Sequence, residues 1–279
     1  MTRPINGSNV ETFTINYWMV TIWEENGDPR LTGYPLMSSF MYPLIISLIY
    51  YFIVLYAGPR FMKYRKPFSL KWTLIVYNIA MSLFNGYYFY KILFGVEFKG
   101  LCSIIFNIDY WSFRDNDEKT RSQLPLLYLY ALSKYIEMLD TIFFVLRKKD
   151  NQITGLHVYH HSTVPIISWI YGRLYTYNSL SLVFSLINSP VHTIMYAYYG
   201  LAAIGPQMQP YLWWKRYITQ FQIVQFMILI TYDIYFFIYQ IGYPSYYFYD
   251  VMFQSVLYLT LFTRLYIRSY KGENRSKEE

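Results

Sequence analysis

Three of the four histidines in the chain fall within five positions, in the stretch Leu156-His157-Val158-Tyr159-His160-His161-Ser162. The fourth, His192, lies in another apolar segment. On a helix, residues three and four apart are neighbours, so His157 shares a face with both His160 and His161. A single histidine in an apolar helix is ordinarily a hydrogen-bonded packing residue. Three at H-x-x-H-H spacing place nearly all of the near-neutral acid–base capacity of this chain in one spot, where imidazole acts as base, nucleophile or metal ligand. Four histidines are too few for the ligand shell of a membrane di-iron desaturase or hydroxylase. A single zinc on three histidines with an open fourth position is formally allowed, as is a His/Asp proton relay in a transporter. The remaining chemistry is catalysis by histidine itself, in which a neutral imidazole attacks a thioester to give an acyl-imidazole. The single cysteine, Cys102, excludes an intrachain disulfide and a cysteine-built metal site, and reads as an ordinary apolar thiol.

The elements that carry these residues are apolar and aromatic. Of 279 residues 22% are aromatic, with 34 Tyr, and only 15% are charged. Positions 36–57 and 72–90 carry no charge, and each run is close to the roughly 20 residues that cross a bilayer as helix. Because backbone groups in lipid must be satisfied within the segment, the expected class is an all-α polytopic membrane protein. The first 30 residues are polar, which argues against a cleavable signal peptide. A net charge of +7 could attract nucleic acid, but the Lys and Arg cluster between the apolar spans, so nucleic acid is set aside.

The pattern predicts seven spans, near 34–57, 72–93, 124–146, 154–171, 177–204, 217–241 and 243–265. A luminal segment, 1–33, precedes this 34–265 catalytic domain, and a basic cytosolic tail, 266–279, follows it. The sequon Asn6-Gly7-Ser8 favours a luminal N-terminus. With seven spans the basic loops 60–71, 147–149 and 215–216, and the tail counted from Arg264, fall on one side. That side holds 15 Lys and Arg against 7 on the other, which makes it cytosolic by the positive-inside rule. There is no internal repeat of the kind that builds inverted-repeat transporters.

Ionisable groups inside a membrane are costly and usually functional. Asp140 lies seven residues before Arg147 and Glu137 ten; His157 lies eight after Lys149 and Gln222 seven after Lys215. At 1.5 Å per residue these groups sit roughly 10–15 Å from the cytosolic ends of their helices. His192 and Lys134 lie slightly deeper. Four helices thus present polar groups at similar depth, as a reaction chamber opening to the cytosol requires. Each group also has a plainer role. Lys134 and Glu137, three apart, can form an intrahelical ion pair, and Asp140 can anchor its helix end. Asn188, one turn before His192, can hold that ring. Gln220, Gln222 and Gln225 can serve as interhelical glue.

Four stretches together resemble the membrane-embedded very-long-chain fatty acid elongases, which are 3-ketoacyl-CoA synthases. They are Lys134-Tyr135-Ile136-Glu137-Met138-Leu139-Asp140-Thr141, the histidine stretch Leu156 to His161, Asn188-Ser189-Pro190-Val191-His192-Thr193-Ile194-Met195-Tyr196, and Thr219-Gln220-Phe221-Gln222-Ile223-Val224-Gln225-Phe226. They occur in the family's order and spacing and cover most of the chain. Gln152 is similar to the branch acting on polyunsaturated or very long chains. The resemblance implies seven helices, six of them an inverted barrel around an acyl tunnel, in the endoplasmic reticulum membrane. It implies condensation of acyl-CoA with malonyl-CoA through His160 and His192, with His157, His161 and Asn188 orienting groups or stabilising charge. Lys134, Glu137, Asp140, Gln222 and Gln225 support that network, and no metal or redox cofactor is needed. Implied partners are membrane lipid and the 3-ketoacyl-CoA reductase, dehydratase and enoyl-CoA reductase that complete elongation. Oligomeric state is left open, a homo-oligomer included.

Three departures from the family pattern are visible. Pro190 stands between Asn188 and His192 and is expected to distort that helix. Gly155 stands where an aromatic residue is expected and would widen the tunnel. Cys102 has no partner for the luminal disulfide of relatives. Lys148, Lys149, Arg264, Arg268 and Lys271 are candidates for the CoA phosphates. The end of the tail, Arg275-Ser276-Lys277-Glu278-Glu279, is similar to a dilysine retrieval signal with Arg for one Lys. The rival from another class is a lipid or proton-coupled transporter using the His/Asp layer.

Overall fold

The computed structural model describes residues 27–95, 118–174, 179–239 and 245–275. The Asn6 sequon, Cys102, residues 276–279 and the side chain of Lys271 lie outside the described set. Regular structure among the described residues is helical, with no strand. The chain divides into two compact units, Met1–Lys66 with Asp115–Thr176, and Pro67–Arg114 with Tyr177–Glu279.

The first unit begins with α1, Met41–Phe52, which passes through a wider turn, Ile53–Ala57, into the short α2, Gly58–Met62. The widening has a cause in the sequence. Pro59 has no N–H to give and its ring would strike the carbonyl one turn back, and a π-turn relieves both problems. Gly58 is required for a second reason. A Cβ there would sit 2.6 Å from the Ile53 carbonyl oxygen and 2.7 Å from Val145 Cγ1. Helix α4, Glu118–Ile136, and helix α5, Leu139–Leu146, occupy the region expected as one continuous span. Between them Met138 donates to Tyr135 and Asp140 to Glu137, three residues back, so the chain tightens locally to a 3₁₀-like turn.

Helix α5 closes with a Schellman arrangement. Lys148 N–H donates to the Val145 carbonyl and Lys149 N–H to the Phe144 carbonyl. Lys148 takes the left-handed conformation, φ 53°, that this cap usually assigns to glycine. Helix α6, Gly155–Leu174, carries the histidines. Thr154 caps it, its Oγ1 accepting from the His157 N–H at 3.2 Å. The other end of α6 is held by residues 28–37. Asp28 N–H donates to the Arg173 carbonyl at 2.7 Å, the Arg173 guanidinium donates to the Asp28 carbonyl, and Trp169 Nε1 donates to the Leu36 carbonyl at 2.8 Å. Leu31, Met37, Leu124 and Trp169 form the apolar cluster beneath them.

The second unit contains α3, Lys71–Gly95, α7, Ser179–Ile204, α8, Lys215–Tyr239, and α9, Ser245–Arg275. Its most extensive pairing is α3 with α7. Gly86 admits Thr193 of α7, and Gly200 of α7 admits Asn78 and Ile79 of α3. Helix α7 continues through Pro190. Gly205, at φ 132°, stops α7 in a conformation that side-chain-bearing residues rarely adopt.

Several helices are inside out relative to those of a water-soluble protein. Helix α1 buries Ser47 and Tyr50 while exposing Leu48 and Phe52 to 57–58%. Helix α3 buries Asn78 and Asn85 and exposes Trp72, Val76 and Leu83, and α8 buries Gln225 and exposes Phe221, Val224 and Ile238. Apolar faces turned outward and polar faces turned inward suit lipid as the surrounding solvent. Three stretches among the described residues, Met41–Met62, Leu180–Ile204 and Lys215–Tyr239, are long and apolar enough to cross a membrane. The chain is a multi-pass membrane protein.

Candidate active site

In the first unit, α6 brings all three neighbouring histidines together. The rings of His157 and His161 lie 4.2 Å apart between centroids, and those of His160 and His161 lie 5.2 Å apart. Phe144 of α5 packs against His157 at 5.1 Å. The His157 Nε2 atom is buried and has no hydrogen-bond partner among the described residues. Asp140, in the first turn of α5, points its Oδ2 toward His161 Nε2 at 4.0 Å. That is the outer limit of an ion pair and too long for a direct hydrogen bond. The local turn at residues 137–138 is what gives Asp140 its place at the start of a fresh helix.

Lys134 and Glu137 form the intrahelical pair that the spacing allows. Lys134 Nζ donates to Glu137 Oε1 at 2.7 Å, with both side chains at 2% exposure or less. Lys134 also lies over the Tyr130 ring at 4.5 Å. In this depth of burial each charge needs the other, because an isolated one is strongly disfavoured. Three residues of α1, which the sequence did not single out, tie this layer together. Tyr50 Oη bonds Thr141 Oγ1 at 2.7 Å, Tyr51 Oη bonds Ser162 Oγ at 2.6 Å, and Ser47 Oγ donates to the Ser162 carbonyl at 3.0 Å. Tyrosines and serines on a helix otherwise facing lipid are the signal that marks that polar face, but against 34 tyrosines it does not stand out.

In the second unit His192 is buried, 6% exposed, and its ring lies 5.9 Å from that of Tyr196 in an edge-on arrangement. Asn188 Nδ2 donates to Gln225 Oε1 at 3.4 Å, and both residues are buried. Asn188 is therefore held in place by α8 despite Pro190. Gln222 Nε2 approaches Met195 Sδ at 3.7 Å, and Gln220 Nε2 donates to Tyr266 Oη of α9 at 2.9 Å. All three glutamines bridge α8 to a neighbour, as interhelical glue does. Asp233, further along α8, is fully buried and was not selected by the depth argument.

The candidate cations for CoA are exposed where their side chains are described: Lys148 and Lys149 in the first unit, Arg264 and Arg268 in the second. Lys148 Nζ reaches the Lys63 carbonyl at 3.5 Å. A Cβ on Gly155 would meet nothing within 4 Å, so the glycine leaves open space at the start of α6. Among the described residues no three His, Cys, Asp or Glu side chains converge as a metal-holding group.

The histidine trio, the buried ion pair, Asn188 and the glutamines lie in the four stretches by which the chain resembles a known family, and comparison with known proteins agrees. The model of the ELO: GNS1/SUR4 family matches residues 35–278. The chain is 38% identical over 262 residues to very long chain fatty acid elongase 7 of Rattus norvegicus, covering 91% of this chain and 90% of that protein. It is 38% identical over 250 residues to elongase 4 of Homo sapiens, covering 90% and 78%, and 41% identical over 214 residues to human elongase 1, covering 76% and 75%. The chain belongs to the ELO family of very long chain fatty acid elongases, a class of acyl-transferring, condensing enzymes.

Proposed function

We propose that the protein condenses a long-chain acyl-CoA with malonyl-CoA, releasing CO2 and CoA and yielding 3-oxoacyl-CoA. This is the first step of very-long-chain fatty acid elongation. The observation that supports the reading most is the histidine trio on α6, gathered beside Asp140 in a chain of this family. In the scheme, the His160 imidazole attacks the thioester carbonyl. The C–S bond breaks, CoA leaves as thiolate, and an acyl-imidazole remains. Malonyl-CoA then loses CO2, and the electron pair of the broken C–C bond becomes an enolate. The enolate carbon attacks the acyl-imidazole carbonyl, the C–N bond breaks, and the imidazole is restored.

His192 is the second histidine of the reaction centre, and His157, His161 and Asn188 orient groups or stabilise developing negative charge as fixed donors do. Lys134, Glu137, Asp140, Gln222 and Gln225 hold this network. Lys148, Lys149, Arg264, Arg268 and Lys271 attract the CoA phosphates. The scheme needs no metal or redox cofactor. To the same reading belong seven spans with six in an inverted barrel around an acyl tunnel, and the branch preferring polyunsaturated or very long chains. It also includes an endoplasmic reticulum location with luminal N-terminus and cytosolic C-terminus, and supply of product to a reductase, a dehydratase and a second reductase.

The test is extension of a panel of acyl-CoAs with labelled malonyl-CoA by purified protein. Product two carbons longer is expected, and His160→Ala and His192→Ala should each lower turnover by about a hundredfold or more, the usual scale for a lost acid–base or nucleophilic group. A folded, membrane-inserted protein that extends no acyl-CoA contradicts the reading.

A further inference from the structure

The cations at the end of α2 lack partners of opposite charge. Positions 58–66 hold Arg60, Lys63, Arg65 and Lys66 and no Asp or Glu. These side chains are exposed, and none takes part in an ion pair among the described residues. Lys63 N–H donates to the Arg60 carbonyl and Arg65 N–H to the Met62 carbonyl, so tight turns keep the cations close together. Lys148 adds another charge, its Nζ reaching the Lys63 carbonyl at 3.5 Å. Uncompensated cations at this density raise the local potential and draw anions.

The face they occupy selects the anion. Phe52 and Tyr56 point outward, 57% and 49% exposed, with their rings 5.5 Å apart. The Arg60 guanidinium lies over the Tyr56 ring at 4.3 Å, and the Arg65 guanidinium lies over the exposed Phe61 ring at 4.0 Å. The opposite face, Tyr50, Val54 and Met62, is buried against Val145 of α5 and Val158 of the histidine helix. The two guanidinium groups therefore stand on the lipid side of this segment, away from the histidines. Stacking occupies the flat face of a guanidinium and leaves its N–H edges free to grip two oxygens of a phosphate. An outward aromatic stripe that ends in such forks matches a ligand with hydrocarbon tails and a phosphate head. The phosphates of CoA arrive from water and need no such stripe.

We propose that Arg60 and Arg65, backed by Lys63 and Lys66, bind the headgroup of an anionic phospholipid in the adjoining leaflet, with its tails against Phe52 and Tyr56. The inference rests on the membrane setting of the chain and not on the elongase reading. A basic segment beside a membrane span attracts anionic lipid, and the stacked forks turn that attraction into a site. A zwitterionic headgroup brings an ammonium of its own, which the cluster repels.

The experiment is native mass spectrometry of the purified full chain, released from micelles that contain equal amounts of phosphatidylinositol and phosphatidylcholine. The wild type should retain phosphatidylinositol in preference to phosphatidylcholine by about tenfold or more. Arg60→Gln with Arg65→Gln should remove most of that preference. Lys215→Gln with Arg216→Gln, an equal loss of charge in another basic turn, should leave it nearly unchanged, because the Arg216 guanidinium already donates to Tyr217 Oη. The substituted side chains are all exposed, so the variants keep the fold. A wild type without the preference overturns the inference. Equal losses in the two paired variants also overturn it, since overall charge would then account for the binding. Displacement of phosphatidylinositol by an equal concentration of free CoA would assign the cluster to the CoA phosphates and overturn it as well. None of these results contradicts the elongase reading, which acyl-CoA extension tests separately.

Discussion

At the scale of single residues, the buried pair Lys134–Glu137 is the sharpest electrostatic commitment in the first unit. Both side chains are sealed from solvent and 2.7 Å apart. Removing one partner strands a buried charge at a cost of about 3–5 kcal/mol, whereas replacing both by apolar groups of similar size is often nearly neutral. Lys134→Met alone should therefore lower the midpoint of thermal unfolding in detergent far more than Lys134→Met with Glu137→Leu. Equal losses in the two variants would contradict a pairing role. The histidine cluster, this pair and the bridging glutamines were legible in the sequence because ionisable and amide groups are conspicuous in apolar helices. Ser47, Tyr50 and Tyr51 were not, because hydroxyls that bond to distant partners look like any others on the page. Asp233 escaped for a different reason. It lies two turns beyond Gln225, away from the single polar layer that the other ionisable groups mark.

At the scale of elements, the sequence predicted which segments are helical better than how each helix is interrupted. The expected third span is split at residues 137–138 with no proline or glycine there to announce it. At Pro190 α7 continues, packed along α3. Gly58 and Pro59 do mark the π-turn, but only the close approach of Val145 shows why glycine is needed. Gly58→Ala should destabilise by about 1–3 kcal/mol, the usual cost of overpacking, measured by thermal unfolding. At the cap of α5, Lys148 holds a left-handed conformation. Lys148→Gly should raise stability by up to about 1 kcal/mol by relieving it. Thr154→Ala should cost about 1 kcal/mol by removing the cap at the start of the histidine helix.

At the scale of the whole molecule, polar faces turned inward and apolar faces turned outward make lipid the solvent for which this chain is built. The basic loops 60–71 and 147–149 are exposed where described, apart from the partly buried Arg147 and Leu70 and the buried Met62, in keeping with a charge-set orientation. The orientation proposed above predicts that the Asn6 sequon is luminal. Protein made in microsomes should lose apparent mass on endoglycosidase treatment, and Asn6→Gln should abolish the shift. An unmodified Asn6 together with protease access to the N-terminus from the cytosolic face would reverse the assigned topology.

The central claim is that a histidine of the α6 cluster carries the acyl group between the two halves of the reaction. The direct measurement is intact-protein and peptide mass spectrometry after incubation with a long-chain acyl-CoA and no malonyl-CoA. The account predicts an added acyl mass on a peptide containing residues 157–161, mapped to His160, absent in His160→Ala and discharged when malonyl-CoA is supplied. An enzyme that extends acyl-CoA yet never accumulates acyl on that peptide, or accumulates it equally in His160→Ala, would contradict the account.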